Sequence, residues 1–145
     1  MRASRRQRSA TTLAEMCLVL AIFAALMAIA IPRVRAAVDR AAARGAIRDA
    51  GSQFAFARRA ALTRRALVAV AIDTGRGLIV VRCGTSTLAA RGIASAYGVR
   101  LSSTRDSMSY DPGGLGYGAA NLSLIARRGA AAETLLVSRL GRVRH

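Results

Sequence analysis

Between Ser9 and Pro32 the chain reads SATTLAEMCLVLAIFAALMAIAIP, and the 21 residues from Thr11 to Ile31 hold a single charge, Glu15. A helix of that length spans about 30 Å, the thickness of a bilayer's hydrocarbon core. An ionised carboxylate in hydrocarbon costs on the order of 3 kcal/mol, so Glu15 calls for a partner and a role. The run outlasts the roughly 7–15 apolar residues of a secretory signal, and Pro32-Arg33-Val34-Arg35 stands where a small-residue cleavage site would be. It is therefore expected to remain in the mature protein. Arg2, Arg5, Arg6 and Arg8 precede the run and five arginines follow it closely, so the positive-inside rule leaves its orientation open.

The 145 residues suffice for one domain and an anchor. All 23 basic residues are arginine, against seven acids, for a net charge of +16. A compositional drift toward Arg and Ala explains such a charge, and so does an anionic partner, nucleic acid or lipid headgroups. Cys17 lies within the apolar run and Cys83 far outside it, so no disulfide between them is expected. No C-x-x-C pair or metal-ligand cluster is present and the one histidine is His145, so neither metal nor cofactor is expected.

The N-terminal pattern resembles the type IV pilin-like proteins, which carry a basic leader, a cut before the apolar run, an early glutamate and a later proline. With the cut between Ala10 and Thr11, Glu15 becomes the fifth residue of the mature chain and Pro32 the twenty-second, as in that family; Thr12 and Leu13 also match. Ala10 replaces the family's usual glycine, Thr11 its phenylalanine, and Ala14 a larger apolar residue. The resemblance implies cleavage by a prepilin peptidase, N-methylation of Thr11, and assembly contacts through Glu15 and Pro32. Cleavage would create an α-amino group one turn from the Glu15 carboxylate. The resemblance further implies that Glu15 attracts the amine of a neighbouring subunit, which would set the register between subunits. Opposite charges buried together cost less than either alone.

Pro32 removes a backbone donor and crowds Ala28, so a kink is expected there. The following stretch is alanine-rich and favours helix to about Arg65. Ile47, Ala50, Phe54, Ala57 and Ala61 form one apolar stripe, expected to pack on the downstream domain. Gly45 and Gly51 weaken that helix. Arg40, Arg44 and Arg48 line one face, read either as solvated or as touching an anionic surface. Residues 67–72 and 78–81 flank Asp73-Thr74-Gly75-Arg76-Gly77 as a hairpin. Residues 84–97 are expected to be an irregular connection, and short strands are expected at Val99–Ser103 and Ser107–Tyr110. A second hairpin is expected from residues 121–127 and 134–139 around Arg128-Gly129-Ala130. The expected fold class is α+β and pilin-like: a long N-terminal helix, its first half in the membrane, packed on a small antiparallel β-sheet domain. Its divisions are a leader at 1–10, a transmembrane or filament-core helix at 11–31, the soluble half of the helix at 32–66, and the sheet domain at 67–145.

The C-terminal half resembles the GspH/FimT branch, through ALTRRALVAVAID, MSYDPGGLG and the ending SRLGRVRH, whose Gly141-Arg142-Val143-Arg144 matches a Gly-Arg-x-Arg tail. No catalytic constellation is legible: the acids are scattered, and DPGGLGYG lacks the order and the following helix of a phosphate cradle. The chain is not expected to be an enzyme. The resemblance implies a minor pseudopilin or minor pilin, a structural subunit of a type II secretion pseudopilus or type IV pilus. Its partners would be other pilin or pseudopilin subunits, the prepilin peptidase and the inner membrane, with the C-terminal domain periplasmic. The alternative is a DNA-binding minor pilin acting in DNA uptake through Arg139, Arg142 and Arg144. Without the leader's four arginines the net charge is still +12. Such contacts would be strong, salt-dependent and indifferent to base sequence. No aromatic residue interleaves these arginines to stack on bases. A basic frayed terminus is the plainer reading of the same tail.

Overall fold

The computed structural model describes residues 12–117, 121–138, 140 and 142–144, which fall in two compact units divided after Arg35. Helix α1 covers Leu13–Arg64, 52 residues, and its helical backbone continues on both sides of Pro32. Before Arg35 its side chains are exposed, Leu18, Leu20, Phe23, Leu26 and Ile29 among them, and this part is long and apolar enough to cross a membrane. The helix ends with Arg65 in the left-handed region (φ 48°) and Ala66 N–H donating to Ala61 O at 3.3 Å, a closure usually built on glycine.

The unit from Ala36 onward holds two antiparallel sheets, where one had been expected. The first contains β1 (Val68–Asp73), β2 (Leu78–Cys83), β3 (Ser86–Gly92), β5 (Ser107–Tyr110) and β6 (Gly116–Tyr117), in the order β3-β2-β1-β5-β6. The second contains β4 (Arg100–Ser103), β7 (Leu122–Arg128), β8 (Ala131–Val137) and β9 (Val143–Arg144), in the order β4-β7-β8-β9. A short helix α2 (Ile93–Tyr97) joins β3 to β4 and ends at Gly98, which is left-handed at φ 61°. Residues 84–97 are thus regular, not irregular. Their Ser/Thr/Ala composition hid a strand that forms because Val81 and its neighbours in β2 offer it a ladder, with a bulge at Val81/Arg82.

Both expected hairpins form. In the first, Asp73 Oδ1 accepts the Arg76 N–H at 2.9 Å, which tightens the turn. In the second, Arg128 faces Ala131 across Gly129-Ala130, and Gly129 takes φ 53°.

Alternate residues of both sheets point to one core: Val68, Val70 and Ile72 from β1, Leu122, Leu124 and Ala126 from β7, Leu135 and Val137 from β8. The stripe Ile47, Ala50, Phe54, Ala57 and Ala61 is buried against them, as its periodicity requires. Among the described residues, three ion pairs tie α1 to the sheets. Arg44 Nε lies 3.0 Å from Glu133 Oε1, Arg91 Nε 2.8 Å from Asp49 Oδ2, and Arg128 Nε 3.1 Å from Asp39 Oδ1.

The two helix glycines differ. A methyl at Gly51 would meet Leu135 Cδ1 at 3.5 Å and Val143 Cγ1 at 3.6 Å, ordinary contact distances. One at Gly45 would sit 2.7 Å from Tyr97 Cε1. Alanine exceeds glycine in a helix by about 1 kcal/mol. Gly51→Ala is therefore expected to raise stability by about 0.5–1 kcal/mol, and Gly45→Ala to lower it, because overpacking outweighs the propensity gain. Thermal melts of the full chain in detergent read both; equal effects would contradict the notch assigned to Tyr97.

Candidate functional site

At the start of α1, the Thr12 N–H donates to Glu15 Oε2 at 3.4 Å, and the Glu15 N–H donates to Thr12 Oγ1 at 3.3 Å. This is a capping box, in which threonine and a glutamate three residues on satisfy each other's backbone donors. The pattern Thr-x-x-Glu is legible in the sequence and gives Glu15 a local role that the charge argument overlooked. The carboxylate also sits favourably at the positive end of the helix dipole. Ala10 and Thr11, the expected cleavage and methylation positions, and the expected leader, residues 1–10, lie outside the described residues.

The basic tail is partly built into the fold. Val143–Arg144 pairs with β8 as strand β9, with Val137 facing Val143 and Leu136 facing Arg144. Ser138 closes the intervening loop: its N–H donates to Arg142 O at 2.8 Å, and its Oγ accepts the Arg142 N–H at 3.2 Å. Val143 is half-buried over Gly51, while Arg142 and Arg144 on either side of it are exposed. Arg139 lies outside the described residues.

Docking of β9 beside α1 brings Arg142 and Arg144 together with two arginines that the sequence reading did not single out. An open groove of about 510 Å³ is lined by Ala55, Arg58, Arg59, Arg142, Val143 and Arg144. More than eighty residues separate the two pairs in sequence, and only the ladder between β8 and β9 reveals their proximity. None of the seven acidic side chains lines this groove or forms an ion pair with its arginines. Arg58 Nε is buried without a hydrogen-bond partner, and so is the Tyr110 hydroxyl, which lies within the field of that guanidinium.

Burial pushes the Tyr110 phenol up to about 12, and the Arg58 charge offsets this in part. A phenol that holds its proton more tightly when folded contributes stability below pH 10, and this is lost as pH rises through 12. Stability is expected to fall by about 1.4 kcal/mol per pH unit in that window from this group alone. Tyr110→Phe should flatten the decline in pH-dependent melts; an unchanged decline would place its origin elsewhere.

Among the described residues, no three His, Cys, Asp or Glu side chains lie close enough to hold a metal ion. A long N-terminal helix whose later turns pack on antiparallel sheets is the pilin fold. The chain is similar in structure to the type IV minor pilin FimU of Pseudomonas aeruginosa strain PAO1. The FimU crystal structure in space group P21 matches with a TM-score of 0.60 at 12% identity, over 70% of this chain and 86% of FimU. The one in space group P65 matches with a TM-score of 0.58 at 10% identity, over 70% and 90%. Neither a family model nor a curated protein sequence matches the chain.

Proposed function

We propose that the chain is a minor pilin or pseudopilin of the GspH/FimT type, a non-enzymatic structural subunit of a type IV pilus or type II secretion pseudopilus. It is cut by a prepilin peptidase between Ala10 and Thr11, methylated at Thr11, and held in the inner membrane by residues 11–31 with the remainder periplasmic. The observation that carries this reading is the division of α1: its apolar residues are exposed before Arg35, while its later turns are buried on the sheets. An exposed apolar helix of this length is covered either by lipid or by the equivalent helices of other subunits. The likeness to FimU supports the same reading.

In this role Glu15 serves twice, capping its own helix and attracting the Thr11 amine of a neighbour, and two substitutions separate the roles. Glu15→Gln keeps the capping box, which accepts either residue. Glu15→Ala removes both, at a local cost of about 1 kcal/mol. An unpaired buried charge costs about 3–5 kcal/mol. Both variants are therefore expected to insert into the membrane normally and to fail in filament incorporation, measured by cross-linking to neighbouring subunits. Normal incorporation of Glu15→Gln would reduce Glu15 to a helix cap.

A second reading, DNA binding during uptake through the arginine tail, is favoured by one observation. Arg142 and Arg144 are exposed on either side of Val143, at a groove that no carboxylate lines.

A further inference from the structure

The groove at the tail adjoins further openings on both sides. The opening bounded by Arg58, Arg59, Arg142 and Arg144 shares Ala55 and Val143 with a second opening that contains Arg48, Gly51 and Ser52. On its other side it shares Arg142 and Arg144 with a third, which reaches Asn121 and Leu136 on the second sheet. Arg48 also borders a fourth, where Glu133 bonds Arg44 and closes the basic track. Five guanidinium groups, those of Arg48, Arg58, Arg59, Arg142 and Arg144, thus line adjoining openings along α1 and β9. No described carboxylate pairs with any of them.

We propose that Arg48, Arg58 and Arg59 bind the phosphates of the same DNA backbone as Arg142 and Arg144, so that the duplex lies along α1 across these openings and not on the tail alone. This rests on the DNA-binding reading and assigns it three new residues.

Unpaired arginines are common in a chain with 23 of them and seven acids, so lack of a partner alone decides nothing. Convergence decides it. Two segments far apart in sequence place their arginines around one concave surface. The guanidinium fork suits phosphate bidentately.

The dimensions also fit a polymer. Arg48 to Arg59 spans about 16 Å of helix. That matches about five steps of one DNA strand at 3.4 Å of axis per phosphate. A second copy of this chain fits less well. Asp39, Asp49, Asp73 and Glu133 are occupied by arginines, leaving Glu15, Asp106 and Asp111 scattered singly against five positive groups.

The test uses the full chain in non-ionic detergent and a fluorescent duplex of about 25 base pairs, with anisotropy followed from roughly 50 to 300 mM salt. Three variants of equal charge are compared: Arg142→Gln with Arg144→Gln, Arg58→Gln with Arg59→Gln, and Arg100→Gln with Arg105→Gln as a control in β4 and the turn that follows it. Tail and helix pairs are each expected to lower the salt slope by about 1.8, at ~0.9 per phosphate, and to weaken binding at least tenfold at low salt. The control pair should match the unsubstituted protein. If Arg58→Gln lowers the melting temperature, Arg48→Gln with Arg59→Gln, both at exposed positions, gives the same reading without it.

A helix pair that behaves like the control, while the tail pair loses binding, overturns the contact along α1 and leaves the tail as the DNA contact. No binding by the unsubstituted chain at about 50 mM salt overturns both. Competition by polyaspartate as strong as by duplex at equal charge would replace phosphate by carboxylate and overturn the assignment of the ligand.

Discussion

Phe54→Ala is expected to destabilise the protein by about 3–5 kcal/mol, the range for removing a phenyl ring from a closed core. Phe54 is fully buried and is the largest apolar side chain that α1 contributes. Its neighbours on the same stripe, Ala50, Ala57 and Ala61, are too small to close the gap, so the cavity stays open and the full cost is felt. For a domain of this size the loss lowers the melting temperature by on the order of 15 °C. Phe56, two residues on, points away and is 37% exposed. Phe56→Ala should therefore cost under about 1 kcal/mol. Thermal melts of both variants in detergent make the comparison. Similar losses would mean that the stripe does not define the buried face.

The second large effect is expected at Gly77, which closes the turn between β1 and β2. It has φ 63°, where a side chain costs about 1–2 kcal/mol. Its carbonyl accepts from Ile93 N at 2.9 Å and Ala94 N at 3.1 Å, so the turn is seated on the first residues of α2. A methyl there would overlap the Ala94 methyl and lie 3.1 Å from Ala94 Cα, backbone that cannot swing aside. Conformational strain and overpacking together give about 3 kcal/mol for Gly77→Ala. Gly84 supplies the comparison: its φ is 57°, but nothing lies within 4 Å of an added methyl. Gly84→Ala should cost only the conformational part, about 1–2 kcal/mol. Equal costs at the two glycines would refute the close seat on α2.

Much of this fold was legible where the side chains contrast strongly. Val68 to Ile72 and Leu78 to Val81 are rich in branched residues around a glycine turn, and the expected hairpin forms, with Ile72 facing Ile79. The α1 stripe was legible because small and apolar residues recur at helical spacing. Ser86–Gly92 carries no such contrast; its strand exists because β2 exposes a ladder, and propensity alone does not reveal this. The division into two sheets was hidden for a related reason. Val70 pairs with Met108 and Leu101 with Ala126, long-range pairings that no local pattern encodes.

The candidate sites divide the same way. Arg142 and Arg144 stood out through their motif, whereas Arg58 and Arg59 resembled any arginines in an arginine-rich helix until β9 was seen to dock beside them. At Glu15 the same letters spell both a charge in an apolar run and the Thr12-x-x-Glu15 cap.

Strand β9 is only two residues long, held by its ladder to Leu136 and Val137 and by Val143 resting over Gly51. Segments with so few contacts open locally at free energies well below that of global unfolding. If the groove holds phosphate as proposed, its occupancy and the docking of β9 are linked equilibria: each anion held between strand and helix would tighten the strand, and each fraying of the strand would dismantle the groove. Warming should therefore erase the groove before the core melts, and an extension fused after His145 would act on affinity by changing how firmly β9 stays docked.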